Sequence, residues 1–156
     1  MTHLSINFEV SCRCGKSKFL ISGKPLTRFI CHCNICQKIY KQNSADIVVF
    51  KKQSISLIES EFVEFKKYKW APAVNRGICS SCCQPIVGFM QIVPFVSVAF
   101  VPAMHFKAID IGLSPSLHTF YHRRIENVHD DLPKISGYWA SQAIMAKKIL
   151  SNFYEF

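Results

Sequence analysis

Short runs of β-branched and aromatic residues, separated by polar breaks, recur along most of the chain. Runs of this length, without amphipathic helices between them, predict antiparallel strands rather than a doubly wound α/β fold. The predicted strands are residues 6–10, 18–22, 45–50, 55–58, 62–68, 86–90, 95–101 and 106–111. The pattern therefore predicts a mainly β protein.

The end of the chain has a different periodicity. Apolar residues recur there at spacings of three and four, which is the pattern of one helix face, at Trp139, Ala143, Ala146, Leu150 and Phe153. We expect a C-terminal helix over about 138–153 that packs this face on the sheet. Because no linker, low-complexity tract or repeat interrupts the chain, we expect one domain over residues 1–156, with a core over about 5–135.

The composition adds two features to this picture, namely eight cysteines and a net charge of +9 in 156 residues. The first ten residues lack the basic and apolar regions of a signal peptide, and polar residues and prolines interrupt the most apolar segment, 90–104. We therefore expect a cytoplasmic protein with no membrane segment. Thiols stay reduced in that compartment, and clustered cysteines there bind metal or carry out chemistry.

Seven of the cysteines lie in three closely spaced motifs. The motifs are C-R-C-G at 12–15, C-H-C-N-I-C at 31–36 and C-S-S-C at 79–82. Spacings of C-x-C and C-x-x-C bring two sulfurs within reach of one ion, and Gly15 allows the first motif to turn. Three such motifs in one small chain predict a bound soft metal, for which zinc is the best candidate.

The number of ligands indicates how the cysteines divide. A closed structural zinc site takes four protein ligands, whereas a reactive site takes three and leaves one position open. The favoured structural set is Cys12, Cys14, Cys79 and Cys82, and the favoured reactive set, which we call the trio, is Cys31, Cys33 and Cys36. The alternative division takes four ligands from the first two motifs and leaves the C-x-x-C motif half-coordinated.

Two residues beside these motifs fall outside the ligand count. Cys83 directly follows a proposed ligand, and we expect a buried or half-buried free thiol. His32 lies between two proposed ligands, where an extended backbone points its ring away from the metal. We expect His32 to lie beside the ligands without binding the metal or to lie in solvent, and ligation by His32 is the less favoured alternative.

The positive charge is concentrated in the first half of the chain. Residues 1–78 hold 13 Lys and Arg against 5 Asp and Glu, giving +8, whereas residues 79–156 hold 6 against 5, giving +1. These cations are dispersed rather than gathered in a dense arm, so a small anionic substrate is favoured over nucleic acid. A solvated basic face without a dedicated partner is the remaining alternative.

The cysteine motifs, read as C-R-C-G, C-H-C-N-I-C-Q-K and I-C-S-S-C-C-Q-P-I, resemble the family of glutathione-dependent formaldehyde-activating enzymes and the related centromere protein V. Residues 118–121 and 130–134 are similar to that family's closing segment. The resemblance implies a zinc-stapled β-tent fold of stacked antiparallel sheets. It also implies one structural zinc on the outer four cysteines and a second zinc on the trio. The chain departs from the family at Cys83, where glycine is usual, and lacks the Pro-Trp pair of the closing segment.

These features favour a carbon–sulfur lyase of the S-(hydroxymethyl)glutathione synthase type, which adds glutathione or a similar thiol to formaldehyde or a related small carbonyl. Its catalytic residues would be Cys31, Cys33 and Cys36, because zinc ligation keeps a sulfur nucleophilic. Lys38 is the candidate contact for the carboxylates of the thiol. The alternatives are a non-catalytic, zinc-stabilised module that binds nucleic acid or another acidic partner, and a protein that handles thiols or metals.

Overall fold

The computed structural model describes residues 6–70, 73–107 and 109–154, which form ten strands and two α-helices. The strands are β1 (Ile6–Ser11), β2 (Lys18–Gly23), β3 (Thr27–Cys31), β4 (Ala45–Lys51), β5 (Ile55–Glu59), β6 (Val63–Lys67), β7 (Asn75–Cys79), β8 (Pro85–Val93), β9 (Val96–Pro102) and β10 (His118–Thr119). The helices are α1 (Asn34–Tyr40) and α2 (Tyr138–Phe153). This architecture confirms the prediction of a mainly β protein with a C-terminal helix. Neither helix has the length and apolarity needed to cross a membrane.

The strands form two sheets. The small sheet has the order β1-β2-β5, and the large sheet has the order β10-β3-β4-β9-β8-β7-β6. All neighbouring strands pair antiparallel except β10, which pairs parallel with β3. Along the chain, β3 is the first strand of the large sheet and β10 is the last. These two strands pair at one edge of that sheet.

The large sheet is the middle layer of the molecule. On β4, Val48 and Phe50 pack with Phe19 of the small sheet, while Ile47 packs on the other face with Ile149 of α2. Residues of both faces are almost completely buried because the strand alternates its side chains between two apolar layers. The central strands therefore read as continuous apolar runs.

The same alternation separates the cysteines. Cys79, the last residue of β7, packs in the core between the two sheets, whereas its neighbour Ile78 packs on the helix side. Cys31, at the end of β3, also lies on the helix side. The two predicted cysteine sets are consequently built on opposite faces of the large sheet.

One predicted strand is wrong. Residues 103–106 form a short 3₁₀ helix after β9, and the described residues up to 111 form no strand, while Ala108 lies outside the described residues. The apolar side chains of this stretch are still buried: the Phe106 ring contacts the Phe8 ring at 5.2 Å between centroids. A buried segment without strand structure carries the same run of apolar residues as a strand, so the pattern alone does not distinguish the two. The other seven runs each contain a strand. The pattern did not predict β3, β7, β10 or α1.

The predicted apolar face of α2 is wrong in part, because Trp139 and Ala143 are exposed, whereas Phe153 packs against the core as expected. Trp139 is 76% exposed, and the buried residues are Ser141, Met145 and Ile149. This face is rotated by about one residue step, roughly 100°, from the predicted one. Ser141 occupies it because its hydroxyl accepts a hydrogen bond from the Phe120 backbone N–H at 2.8 Å, which satisfies the buried oxygen.

Candidate metal centre and active site

The four-cysteine cluster joins the two sheets. Cys12 and Cys14 lie in the turn after β1, Cys79 ends β7, and Cys82 lies in the turn that follows. The four sulfurs lie within 4.8 Å of one another. The Cys12 sulfur is 3.3 Å from that of Cys14 and 3.7 Å from that of Cys79. A tetrahedral zinc with Zn–S bonds of about 2.3 Å places its sulfurs about 3.8 Å apart, so this donor set fits one such ion.

Two tight turns shape the cluster. The Gly15 N–H donates to the Cys12 carbonyl at 3.0 Å with φ at 77°, as expected for a glycine after C-x-C. The Cys83 N–H donates to the Cys79 carbonyl at 2.7 Å with φ at 61°. Cys83 thus adopts the left-handed conformation despite its β-carbon. Its side chain is exposed, so the expected buried or half-buried thiol is wrong.

Hydrogen bonds favour ionised sulfur in this cluster. Burial raises the pKa of Cys79, but hydrogen bonds from the Ser17 hydroxyl and from the Cys82 and Ser81 N–H groups outweigh it and lower the pKa. The buried Ser17 hydroxyl has no nitrogen or oxygen partner among the described residues, so the Cys79 sulfur is its natural acceptor. Burial also opposes ionisation of Cys12, yet hydrogen bonds lower its pKa to about 6. A backbone hydrogen bond from Lys16 favours ionisation of Cys14, but the hydrogen bond with the Cys12 sulfur and burial outweigh it and raise the pKa of Cys14 to about 11. The cluster therefore offers thiolates at Cys12 and Cys79 first, and thiolates are the form that a soft cation binds.

The trio spans the junction between β3 and α1. Cys31 is the last residue of β3, Cys33 caps α1, and Cys36 lies in its first turn, with all three sulfurs within 4.8 Å of one another. The Cys36 backbone N–H donates to the Cys33 sulfur at 3.3 Å. Cys31 and Cys36 are buried and Cys33 is half-buried. The change from strand to helix brings the three sulfurs together.

The trio concentrates negative charge on Cys33. Hydrogen bonds from the Cys31 and Cys36 thiols, aided by the positive charge of Arg76, lower the pKa of Cys33 well below its ordinary value. The hydrogen bond to Cys33 raises the pKa of Cys31. The three sulfurs therefore titrate as a unit whose first proton is lost readily.

Arg76 on β7 was not predicted from the sequence as a functional residue. Its Nη2 lies 3.7 Å from the Cys36 sulfur, and it forms no ion pair with any acidic residue of the described chain. Burial alone would lower the pKa of Arg76, but the charges of Cys36 and Cys33 outweigh it and raise the pKa. Three strands separate β7 from β3, so the sheet must curl to bring Arg76 to the trio. Once residues 75–79 are recognised as a strand, Arg76 and Ile78, two residues apart, are expected on the same face of the sheet. Because Ile78 packs on the helix side, Arg76 is then expected on that side too.

The trio opens into a cavity of about 460 Å³ between the large sheet and α2. Three cations line it, and no acidic residue does so within the described chain; the cations are Lys69, Arg76 and Arg123. Lys38, the predicted contact for an anionic substrate, is exposed near the end of α1 and does not line the cavity. The residues that face the trio across the cavity come mainly from β7, β8, β9 and α2.

A chain of hydrogen bonds begins at His32, the residue between two cysteines of the trio, and ends at Asp130. His32 is 2% exposed, and its Nε2 lies 2.8 Å from Nδ1 of His118, whose Nε2 lies 2.7 Å from the Asp130 carboxylate. Because the carboxylate accepts, His118 donates from Nε2, and one proton lies between the two imidazole rings. Burial and the nearby His118 lower the pKa of His32 to about 4. His32 is therefore buried and hydrogen-bonded to His118, and the alternative of a solvated His32 is wrong.

The molecule is therefore a β protein of two sheets with two cysteine clusters that could each hold a metal ion, and one of these clusters faces a cavity. A family model described as "glutathione-dependent formaldehyde-activating enzyme" matches residues 7–123. This match covers most of the chain, and the protein belongs to that family. The match includes every cysteine and ends before α2.

The fold is also similar to a solved structure. A crystal structure of a Rhodobacter sphaeroides protein is 13% identical to this chain, covers 72% of it over 100% of its own length and superposes with a TM-score of 0.55. At this identity the likeness concerns the fold alone. No curated protein matches the chain significantly.

Proposed function

We propose that this protein is a zinc-dependent carbon–sulfur lyase that adds glutathione or a similar thiol to formaldehyde or a related small carbonyl. The observation that carries the proposal is the trio at the wall of a 460 Å³ cavity lined by cations. A purely structural set of cysteines has no need of a cavity, and Cys33 is only half-buried there. Membership of the family supports the same activity.

In this proposal the two clusters have different tasks. Cys12, Cys14, Cys79 and Cys82 hold a structural zinc that fastens the small sheet to the large one. The trio holds a second zinc, which, when bound, keeps its sulfur ligands deprotonated and leaves one position for an incoming thiol. Three thiolates exceed the charge of one zinc ion by one, and the guanidinium of Arg76 compensates that excess.

The side chains around the cavity would orient the thiol. Lys69 and Arg123 are exposed at the opening, where they would bind the carboxylates of glutathione. The sulfur of the thiol then bonds to the carbonyl carbon, the π electrons move to the carbonyl oxygen, and the proton released by the thiol ends on that oxygen. The product is a hemithioacetal, and the reaction involves no change of oxidation state.

The direct test is an NMR assay for S-(hydroxymethyl)glutathione formed from glutathione and formaldehyde. We expect the wild type to exceed the uncatalysed rate and Cys33→Ser to fall to that rate. Cys83→Ser is the matched control, because Cys83 is exposed and belongs to neither cluster. Metal analysis of the same samples should give two zinc ions per chain for the control and one for Cys33→Ser.

Two results would contradict the proposal. Equal rates for the wild type, Cys33→Ser and buffer would reject the reaction for this pair of substrates. Protein purified under reducing conditions without any zinc would reject both metal assignments.

A further inference from the structure

The cavity is much larger than the carbonyl substrate so far considered. A volume of about 460 Å³ lies in the range of sites that hold ligands of many atoms, whereas formaldehyde has a single carbon. The thiol substrate also takes up part of this space, because its sulfur must reach the trio. Its charged groups, however, require polar partners, and these are available only in part of the cavity.

Polar and apolar residues are segregated in the wall. The exposed side of the cavity carries Lys69, His122 and Arg123. The buried side is formed by apolar side chains that are each less than 9% exposed, namely Phe29, Ile47, Met145 and Ile149. Two half-buried polar residues also line the cavity, namely Gln142 and Arg76, and the Arg76 guanidinium lies 3.7 Å from the Cys36 sulfur of the trio. A peptide-like thiol placed against the buried apolar side chains would lose water without gaining hydrogen bonds, so its polar body belongs at the exposed side.

From this segregation we infer that the carbonyl substrate is an aldehyde with an apolar aliphatic or aromatic body, which lies against the buried side while its carbonyl carbon meets the thiol at the trio. The inference rests on the proposed function and specifies its second substrate. The helix α2, which contributes Met145, Ala146 and Ile149 to the wall, lies beyond the residues matched by the family model. The expected selectivity therefore depends on a helix outside the matched residues.

The chemical step is unchanged by the larger substrate. The thiol sulfur bonds to the aldehyde carbon, the carbonyl π bond breaks, and the oxygen takes the proton that the thiol releases. Only the group attached to the aldehyde carbon differs, and that group takes no part in bond making.

The aldehyde series formaldehyde, propanal and hexanal tests the inference at a fixed glutathione concentration. Each methylene moved from water to an apolar wall improves kcat/KM by about fourfold, the equivalent of about 0.8 kcal/mol. Hexanal has three methylenes more than propanal, so we expect a gain of about 60-fold after subtraction of the uncatalysed rates. Equal values for the two aldehydes would overturn the inference.

A matched pair of variants locates the effect. Ala146 lines the cavity, while Ala143 lies on the exposed face of the same helix. Ala146→Phe fills space at the apolar wall and should reduce the preference for hexanal over propanal at least tenfold. Ala143→Phe introduces the same side chain in the same helix and should leave the preference unchanged. Identical preferences in both variants would place the apolar body elsewhere and overturn the inference.

Binding of an unreactive analogue separates this inference from the proposed function. Ligand-observed NMR should detect 1-hexanol bound to the wild type and to Ala143→Phe, with binding weakened at least tenfold in Ala146→Phe. Adduct formation with formaldehyde without hexanol binding would overturn the inference and leave the proposed function standing. Hexanol binding without adduct formation from any aldehyde would instead overturn the proposed function, and with it the assignment of this pocket to an aldehyde substrate.

Discussion

The four-cysteine cluster should carry much more of the folding stability than the trio. The perturbation is Cys14→Ser, which removes one ligand at an exposed position and therefore leaves core packing almost intact. Cys33→Ser removes one ligand of the trio, and Cys83→Ser serves as the control because Cys83 lies in neither cluster. All three variants exchange the same atom.

The magnitude follows from the length of chain that each cluster closes. The Cys12–Cys79 contact spans 67 residues, and a cross-link over such a loop stabilises the fold by about 4 kcal/mol through the entropy of the unfolded chain. The trio spans only residues 31–36, for which the same relation gives about 2 kcal/mol less. A cluster with three remaining ligands retains part of its metal affinity, so we expect losses of about 2–4 kcal/mol for Cys14→Ser, at most about 2 kcal/mol for Cys33→Ser and within about 0.5 kcal/mol for Cys83→Ser.

The assay is urea unfolding, followed by far-UV circular dichroism, with zinc and a reductant in excess. Free energies of unfolding are compared between variants that share the same dependence on urea concentration, the m value. A strong chelator should destabilise the wild type and abolish its difference from Cys14→Ser, because both then lack the cross-link. The reasoning is refuted if Cys33→Ser proves as destabilising as Cys14→Ser, or if Cys14→Ser matches Cys83→Ser.

Substitutions at three further positions test other parts of the structure. Arg76→Met should raise KM about tenfold for glutathione and for neutral 2-mercaptoethanol alike, because Arg76 compensates the charge of the trio that either thiol approaches, with Arg76→Lys intermediate; an unchanged KM for both thiols would remove the electrostatic role of Arg76. Cys83→Gly should raise the free energy of unfolding by about 0.5–1 kcal/mol, because glycine adopts the left-handed conformation without strain; a loss of stability in urea unfolding would contradict this. Burial lowers the pKa of His105, so the unfolded chain binds this proton more readily and stability declines as pH falls below about 6.5 by at most about 1.4 kcal/mol per unit. His105→Gln should make that decline shallower, and an unchanged profile of unfolding free energy against pH would refute the assignment.

The grouping of the cysteines could be predicted because ligand spacing is a local property of the chain. C-x-C and C-x-x-C bring sulfurs together whatever the surrounding fold, and the structure assembles the predicted sets. Most strands were also predictable from their apolar runs. β7 was not, because Arg76 and Gly77 interrupt its apolar pattern, and the role of Arg76 was hidden with it.

The features that escaped prediction depend on contacts between distant segments. The Arg76 guanidinium reaches the trio only because the large sheet curls over three intervening strands. The buried face of α2 includes Ser141, whose hydroxyl is satisfied by the Phe120 backbone, a partner 21 residues away. A polar residue with a distant partner cannot be distinguished from a solvated one by periodicity alone.

A single strand connects the two cysteine centres. Arg76 and Cys79 lie three residues apart on β7, and an odd separation along a strand directs their side chains to opposite faces. Arg76 therefore reaches the trio on the helix side, while Cys79 reaches Cys12 and Cys14 on the side of the small sheet. The register irregularity between β7 and β8 at Gly77 and Ile78 places the additional residue on β8, which leaves the alternation of β7 intact. Insertion of one residue between Arg76 and Cys79 would direct both side chains to the same face, so the position of the cationic residue at the trio and the cross-link between the sheets depend on the same unbroken alternation.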